Sequence, residues 1–451
     1  MDKDKRNELI ALGPEALADA LLELTEKTDE AERMVDRITS SRDEIIRRFR
    51  AKISGLKRSR KFVDWRGVQS LAARLDDMLS DLESTDIDPS TGVELVAAFY
   101  RCDASVFEMC DDSSGFIGDV FRYHARKLFV RYAEACPDED SLLEVLFELY
   151  AGDDYGARER LLDEAQGFLS GDKLRDIADR MWKKAEEEEE DSFERRHWTL
   201  GIESIAHQLK DPALFERARR AGWPGLSSAD CMDISRVHLE AGEPETALEW
   251  ISRIDSIEAF RANERDELLL SILEELRDTE GMAQTAWRLF RRHRSDNSLE
   301  LLLSIIGPEK REAVVGAEVE VIMNSDSLSY SDAFFLVQMG RMEEAEAYLL
   351  KHEQSLDGHL YQSLKPLAES CEESNRPLAA TVLYRALLDS ILARAITKYY
   401  HHGVRYLRKL DCLEEEVDDW RGLKSHQDYK AEICQVHGRK RSFWSKYGSN
   451  G

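Results

Sequence analysis

Cationic residues are the first shortfall in this 451-residue chain: 63 Lys and Arg stand against 90 Asp and Glu, a formal net charge of −27 at pH 7. A balance of that sign argues against a protein built mainly to coat nucleic acid or an anionic membrane. Proline (9) and glycine (24) are scarce, which excludes collagen-like and low-complexity linker chains. Seven cysteines (Cys102, Cys110, Cys136, Cys231, Cys371, Cys412 and Cys434), odd in number and scattered, exclude a small disulfide-stapled secreted framework. A reducing, cytoplasmic setting is expected. No uncharged apolar run reaches about 18 residues, so no membrane span is expected. The opening MDKDKRNELIALGPEALADALLEL lacks the sustained apolar stretch of a signal peptide. Phosphate-binding glycine loops are missing, as are C-x-x-C, H-E-x-x-H, aspartate-rich calcium loops and the G-x-S-x-G elbow. No cofactor or metal is expected.

What the chain has in quantity is hydrophobic residue, 42%, together with 34% charge. That combination fits surface-charged helices better than disorder. At about 150 residues per domain, the length predicts two or three packing units. Apolar residues recur at steps of three and four, as at Leu17, Leu21 and Leu24 and again at Leu142, Val145, Leu146 and Leu149, the period of an amphipathic helix. Strand-like alternation is nearly absent. Over residues 41–62, Ile45, Ile46, Phe49, Ile53 and Leu56 share one face of a helix. The run at 85–92 is a turn cluster.

The second half repeats a grammar. CMDISRVHLEAGEPETALEWISRI (231–254) reads as a helix ending at Ala241-Gly242 and a second helix bearing Ala247, and YSDAFFLVQMGRMEEAEAYLL (330–350) repeats it around Gly340 and Ala345. Taking Gly242, Thr279, Gly307, Gly340 and Asn375 as hairpin turns, the steps are 37, 28, 33 and 35 residues. They cluster near the tetratricopeptide period of about 34. The fold class expected is all-α, an α-solenoid of tetratricopeptide-like hairpins with an N-terminal helical unit. The divisions expected are an N-terminal segment at 1–85, a helical unit at 86–185, a repeat array at 192–400, and C-terminal helices with a basic tail at 401–451. The acidic island Glu186 to Asp191 marks the expected boundary before the array.

Two basic segments stand out from the acidic average. Residues 41–66 hold ten basic groups against three acids. Arg47, Arg48, Arg50, Lys52, Lys57, Arg58 and Lys61 crowd the polar face there. The tail from Arg421 holds seven basic residues against two acids, with Arg439, Lys440 and Arg441 beside Phe443, Trp444 and Tyr447. Basic groups could neutralise phosphates while aromatic faces stack on bases. Equally, basic helices could face the chain's own acidic majority. For catalysis, Arg394 and His401 in LARAITKYYHHGVRYLRKL resemble the R-x(4-6)-H motif of HEPN-class helical ribonucleases, which implies electrostatic and acid–base roles at an RNA phosphodiester. Cys412, His426, Cys434 and His437 form the closest approach to a metal set. Their gaps are irregular, and Cys434 in the apolar step Ile433-Cys434-Val436 reads as a core thiol.

Several stretches together carry a family resemblance: WRGVQSLAARLDDMLSDL, CDDSSGFIGDVFRYHARKLFVRYAEACPDEDSLLEVLFEL, and YRALLDSILARAITKYYHHGVRYLRKL with HGRKRSFW. They resemble the helical region that accompanies SWIM-type zinc-finger proteins, an uncharacterised bacterial all-helical family. The resemblance implies a helical scaffold without an established enzymatic role. The C-x-C…C-x-H finger is missing, so a nucleic-acid role through that finger is not implied. Asp112, Asp119 and Arg122, within the most specific stretch, are expected to cap a helix start.

The reading that follows is a non-enzymatic scaffold or adaptor that binds another protein, or a second copy of itself, through a helical repeat surface. Arg236, His238, Phe335 and Gln338 on the first helices of two hairpins are the expected partner contacts. A nucleic-acid-binding accessory protein is the alternative, and a helical-bundle ribonuclease the third reading. No membrane is expected as partner.

Overall fold

Five turns in this chain close in the same way. Lys210, Gly242, Arg277, Gly340 and Asn375 each take a left-handed backbone, with φ of 51°, 79°, 56°, 70° and 56°. In each case the next residue donates its N–H to the carbonyl five positions back: Asp211 to Ala206, Glu243 to His238, Asp278 to Leu273, Arg341 to Leu336 and Arg376 to Cys371, all at 2.8–2.9 Å. This is the Schellman closure, which satisfies carbonyls that a helix end would leave bare. The following helix starts at once, at Pro212, Pro244, Thr279, Met342 and Pro377. Proline suits that place because the first helical turn needs no N–H donor there. Ala247, Ala345 and Ala380, five residues beyond their turns, are wholly buried.

The computed structural model describes residues 3–28, 31, 34–36, 39–223, 225–254 and 261–448. Among them every regular element is a helix, and strand pairing is limited to one isolated bridge between Val63 and Cys110. No helix among them is long and apolar enough to cross a membrane. The chain divides into two compact units, Met1–Ile254 and Asp255–Gly451.

In the first unit, side-chain caps start several helices: Ser41 accepts from the Glu44 N–H, Asp88 from Thr91 and Asp138 from Ser141. Phe49, Phe99, Phe121 and Phe129 meet in the core, with the Phe99 and Phe121 rings 4.8 Å apart. Gly92 permits a close crossing, since a Cβ there would lie 2.4 Å from the Tyr132 ring. The Asp112 carboxylate accepts from the N–H groups of Ile117 and Gly118, both at 2.9 Å, which is the capping role expected of it. A short π-helical segment, Val120–Ala125, follows, and the Tyr100 hydroxyl donates to the Phe121 carbonyl at 2.9 Å. The acidic island at 186–191 lies inside this unit, running from the last turn of Gly171–Glu187 into its link to Phe193–Leu209, two helices that pack side by side.

In the second unit, Ala262–Glu275 packs on Thr279–Arg292 and Tyr361–Glu373 on Pro377–Arg394. Contacts also reach to the next hairpin: Tyr330–Gln338 touches Tyr361–Glu373, and Met342–Lys351 touches Pro377–Arg394. Of the hairpin turns expected from sequence, Gly242, Gly340 and Asn375 are the left-handed residues themselves. Thr279 opens the second helix, with Arg277 at the bend, and Gly307 (φ 111°) closes a differently bonded turn.

Buried carboxylates link neighbouring helices. Arg219 grips Glu203 through Nε and Nη2 at 2.8 and 2.7 Å and reaches Asp230 through Nη1 at 2.7 Å, joining three helices. Asp266, with no exposed side chain, accepts from Arg288 at 2.9 and 3.0 Å and meets Arg292 at 3.0 Å. Glu318, equally buried, takes Arg291 at 2.9 Å and Arg294 at 2.8 Å, and Arg294 extends to Asp332 at 2.9 Å. Burial alone would raise the Asp266 carboxyl, but Arg288 and Arg292 outweigh it and hold the group below the ordinary aspartate value.

Removing one partner of a buried ion cluster leaves the other charges unanswered. Asp266→Ala is therefore expected to cost about 3–5 kcal/mol of stability in urea unfolding. A group whose folded pKa is depressed stabilises above its unfolded value, about 3.9, and loses that contribution as pH falls through the lower folded value. Wild type should accordingly lose more stability than Asp266→Ala on acidification from neutral pH. At Gly340, a Cβ would meet nothing within 4 Å, so Gly340→Ala carries only the left-handed backbone penalty, about 1–2 kcal/mol in the same assay.

Candidate functional site

The helix Arg42–Arg58 buries Ile45, Phe49 and Ile53 and turns its remaining circumference outward. Arg47, Arg48, Arg50, Lys52, Lys57, Arg58 and Lys61 are all exposed. Glu44 answers Arg48 at 2.8 Å and Arg47 at 3.8 Å, and Asp81 answers Lys52 at 3.4 Å. Arg50, Lys57 and Lys61 form no ion pair among the described residues. Beyond the helix, Val63 is pinned to the neighbouring chain by its N–H to the Met109 carbonyl at 2.8 Å and its carbonyl to the Asp111 N–H at 3.0 Å. Successive residues of an extended segment point to opposite sides. Val63 therefore packs inward while Phe62 stands out, 62% exposed. Trp65 is exposed to the same degree, with the Arg66 guanidinium 5.0 Å over its ring. A cavity of about 930 Å³ lies beside this helix, lined among others by Arg48, Lys52, Lys61 and Arg74 over Leu75 and Met78. Sequence reading found the cations here but missed the two aromatics, whose signal was their place between Lys61 and Arg66.

The tail behaves otherwise. Arg439 and Arg441 are exposed and Lys440 half-buried. Phe443, however, is wholly buried with its ring 5.7 Å from that of Tyr400. The Trp444 indole donates to the His437 carbonyl at 3.0 Å, and the Tyr447 hydroxyl donates to Asp411 at 2.5 Å. The expectation that these aromatics stack on bases is corrected: they hold the helix Arg441–Gly448 against its own unit.

Arg394 and His401 do not share a helix. Ala395 turns left-handed at φ 56° and ends Pro377–Arg394; a 3₁₀ turn, Thr397–Tyr399, precedes the new helix Tyr400–Leu413. The Arg394 Nε donates to the Ser390 carbonyl at 3.2 Å, and the His401 ring lies 3.9 Å from that of His402. The break removes the common helical face that the motif's spacing assumed. The reading of Cys434 and its neighbours as core thiols is corrected. His426 is buried against Asp411 at 2.9 Å, whereas Cys434 and Cys412 are both exposed. Among the described residues no group of three or more His, Cys, Asp or Glu is arranged to hold a metal ion.

Of the four expected partner contacts, two are on the surface. Arg236 is exposed with Asp233 at 3.3 Å, and Gln338 is exposed on the last turn of Tyr330–Gln338. His238 is buried, its Nδ1 at 2.7 Å from Glu243, where it braces the hairpin turn. Phe335 has no exposed surface and its ring lies 5.5 Å from that of Phe290. Both belong to the interior, three residues or fewer from positions that face out, so the helix face was assigned one step too wide. Phe335→Ala should cost about 3–5 kcal/mol in denaturant unfolding. Gln338→Ala should stay within about 0.5 kcal/mol of wild type.

A search of the curated proteins finds no match to this chain. A family model described as a family of unknown function, DUF6880, matches it twice, over residues 4–233 and 227–446. Those stretches take in both helical units and each of the surfaces described above, and the chain belongs to the DUF6880 family of unknown function.

Proposed function

We propose that this protein is a non-enzymatic scaffold that binds another protein through tetratricopeptide-like stacked hairpins. The observation that carries the reading is the pairing of a recurring turn with contacts that skip one helix, as between Tyr330–Gln338 and Tyr361–Glu373. Hairpins stacked in this way bury one side of each helix and leave successive outer residues, Gln338 among them, as an extended surface rather than a closed pocket. The resemblance to the helical region of SWIM-type proteins is, on this reading, one of scaffold and not of finger chemistry. Five of the seven cysteines are buried free thiols, which supports a reducing, cytoplasmic setting.

A photo-crosslinking residue at Gln338 or Arg236, expressed in the native host, should give one discrete protein adduct. Adducts no different from those of a crosslinker placed at exposed Glu94, on the helix Pro89–Tyr100 outside the hairpins with left-handed turns, would remove the proposal.

A second reading has its own observation in the exposed Phe62 and Trp65 among Arg58, Lys61 and Arg66. Aromatic faces beside unpaired cations suit single-stranded nucleic acid. If that is their role, affinity for a mixed oligonucleotide falls steeply between about 50 and 200 mM salt. Lys57→Glu with Lys61→Glu should then weaken it by about tenfold or more. The scaffold reading expects no oligonucleotide binding even at the lower salt, so one titration separates the two.

A further inference from the structure

Within the second unit, a cavity of about 850 Å³ lies between the helix Pro377–Arg394, the loop around Gly358, the segment Gly422–Lys424 and the helix His426–His437. Its size is that of small-molecule sites. The walls are closely built: a Cβ on Gly358 would sit 2.0 Å from the Ala386 carbonyl oxygen. Arg385 lines this cavity and is only 6% exposed. One of its amino groups, Nη1, donates to the Lys424 carbonyl at 2.9 Å. Its guanidinium carbon lies 5.0 Å from the Trp420 ring and 4.6 Å from that of Tyr429. The other edge, Nε and Nη2, is buried and has no hydrogen-bond partner.

That edge has a recurring use elsewhere in the chain. Arg101, Arg158, Arg219, Arg288 and Arg294 each turn Nε and Nη2 together onto one carboxylate, those of Glu148, Asp103, Glu203, Asp266 and Glu318, at 2.5–3.0 Å. A planar fork of two N–H groups matches the two oxygens of a carboxylate. At Arg385 no such group arrives from the protein. Asp389, which lines the same cavity, accepts from the Tyr429 hydroxyl at 2.7 Å, and Glu432 pairs with Lys424 at 2.5 Å. Glu353 and Asp357 also line the cavity, and neither bonds the guanidinium. Ser390, on the same helix and the same cavity wall, adds a second buried polar group without a partner in its Oγ.

We infer that this cavity binds a small organic carboxylate, its two oxygens held by Nε and Nη2 of Arg385 with the Ser390 hydroxyl close by. A bound carboxylate completes the pattern of the other five arginines. The walls carry Glu353, Asp357, Asp389 and Glu432 beside Arg385 and Lys424, so a singly charged carboxylate meets less repulsion there than a phosphate dianion. The inference stands independently of the scaffold proposal, since it concerns a pocket and not the outer hairpin surface.

The test is calorimetric titration of the full chain with a panel of two- to eight-carbon mono- and dicarboxylates, and inorganic phosphate in a separate arm. At least one carboxylate should bind with Kd below about 1 mM, and Arg385→Lys, which keeps the charge but loses the fork, should weaken it by about tenfold or more. Arg405→Lys, exposed on the helix Tyr400–Leu413 and outside the cavity's lining, should leave affinity unchanged. A crystal structure of the wild-type complex, which does not depend on any variant folding, should place the carboxylate on the Nε and Nη2 edge. Binding of no carboxylate, of phosphate alone, equal binding by Arg385→Lys, or a carboxylate seated elsewhere overturns the inference.

Discussion

A carboxylate taken out of water must be met by a cation in good geometry or it destabilises the fold that buries it. This protein accepts that constraint repeatedly. Glu203, Asp266 and Glu318 sit at helix contacts where an aliphatic side chain would be the ordinary choice, and each is answered by arginines from neighbouring elements. Because the guanidinium fork is planar, each clamp fixes distance and orientation together. Arg294 is the clearest case: from the link between two helices it holds Glu318 and Asp332, so three elements share one anchor. Apolar packing supplies most of the burial, as Phe290, Phe335 and Tyr348 show. The clamps decide which helix faces which.

The left-handed turns complement them. Each turn sets the angle between the two helices of one hairpin; the Glu203–Arg219 and Asp266–Arg288 clamps brace those same hairpins, whereas Arg219 to Asp230, Arg291 to Glu318 and Arg294 to Asp332 reach to the next element. His238 combines both roles, since it lies on the first helix and binds Glu243, the residue that closes the turn. With their inner faces committed in this way, the helices leave Arg50, Lys57 and Lys61 without an ion pair among the described residues, and Phe62 and Trp65 exposed beside them. Arg385 is the exception in the interior: the same fork, in an equally buried place, without its carboxylate.

Much of this was legible in the residues. Glycine and asparagine advertise a left-handed backbone, so Gly242, Gly340 and Asn375 were found as turns; Lys210 and Arg277 carry no such mark, and only their place in the spacing shows them. Alanine is the best helix former, so nothing in its type announced that Ala395 would end a helix and part Arg394 from His401. The buried clamps were hidden because Asp, Glu and Arg are read as surface groups, and one sequence does not reveal which of 90 acids meets an arginine across a helix contact. The tail's aromatics were misread for a related reason. Phe443, Trp444 and Tyr447 lie among cations, yet their spacing along Arg441–Gly448 places them where they can pack against Tyr400, His437 and Asp411.

The net charge of −27 therefore says little about the surface by itself, because part of the acid is interior and already answered, while a basic helix face, only partly paired among the described residues, stays exposed. The central claim is that the arginine clamps lock neighbouring helices to one another. Hydrogen–deuterium exchange on Glu318→Gln tests it most directly. The account predicts faster exchange in Thr279–Arg292, Arg311–Met323 and Tyr330–Gln338 together, with Pro377–Arg394 unchanged. Acceleration confined to Arg311–Met323, the helix that carries the substitution, would contradict it.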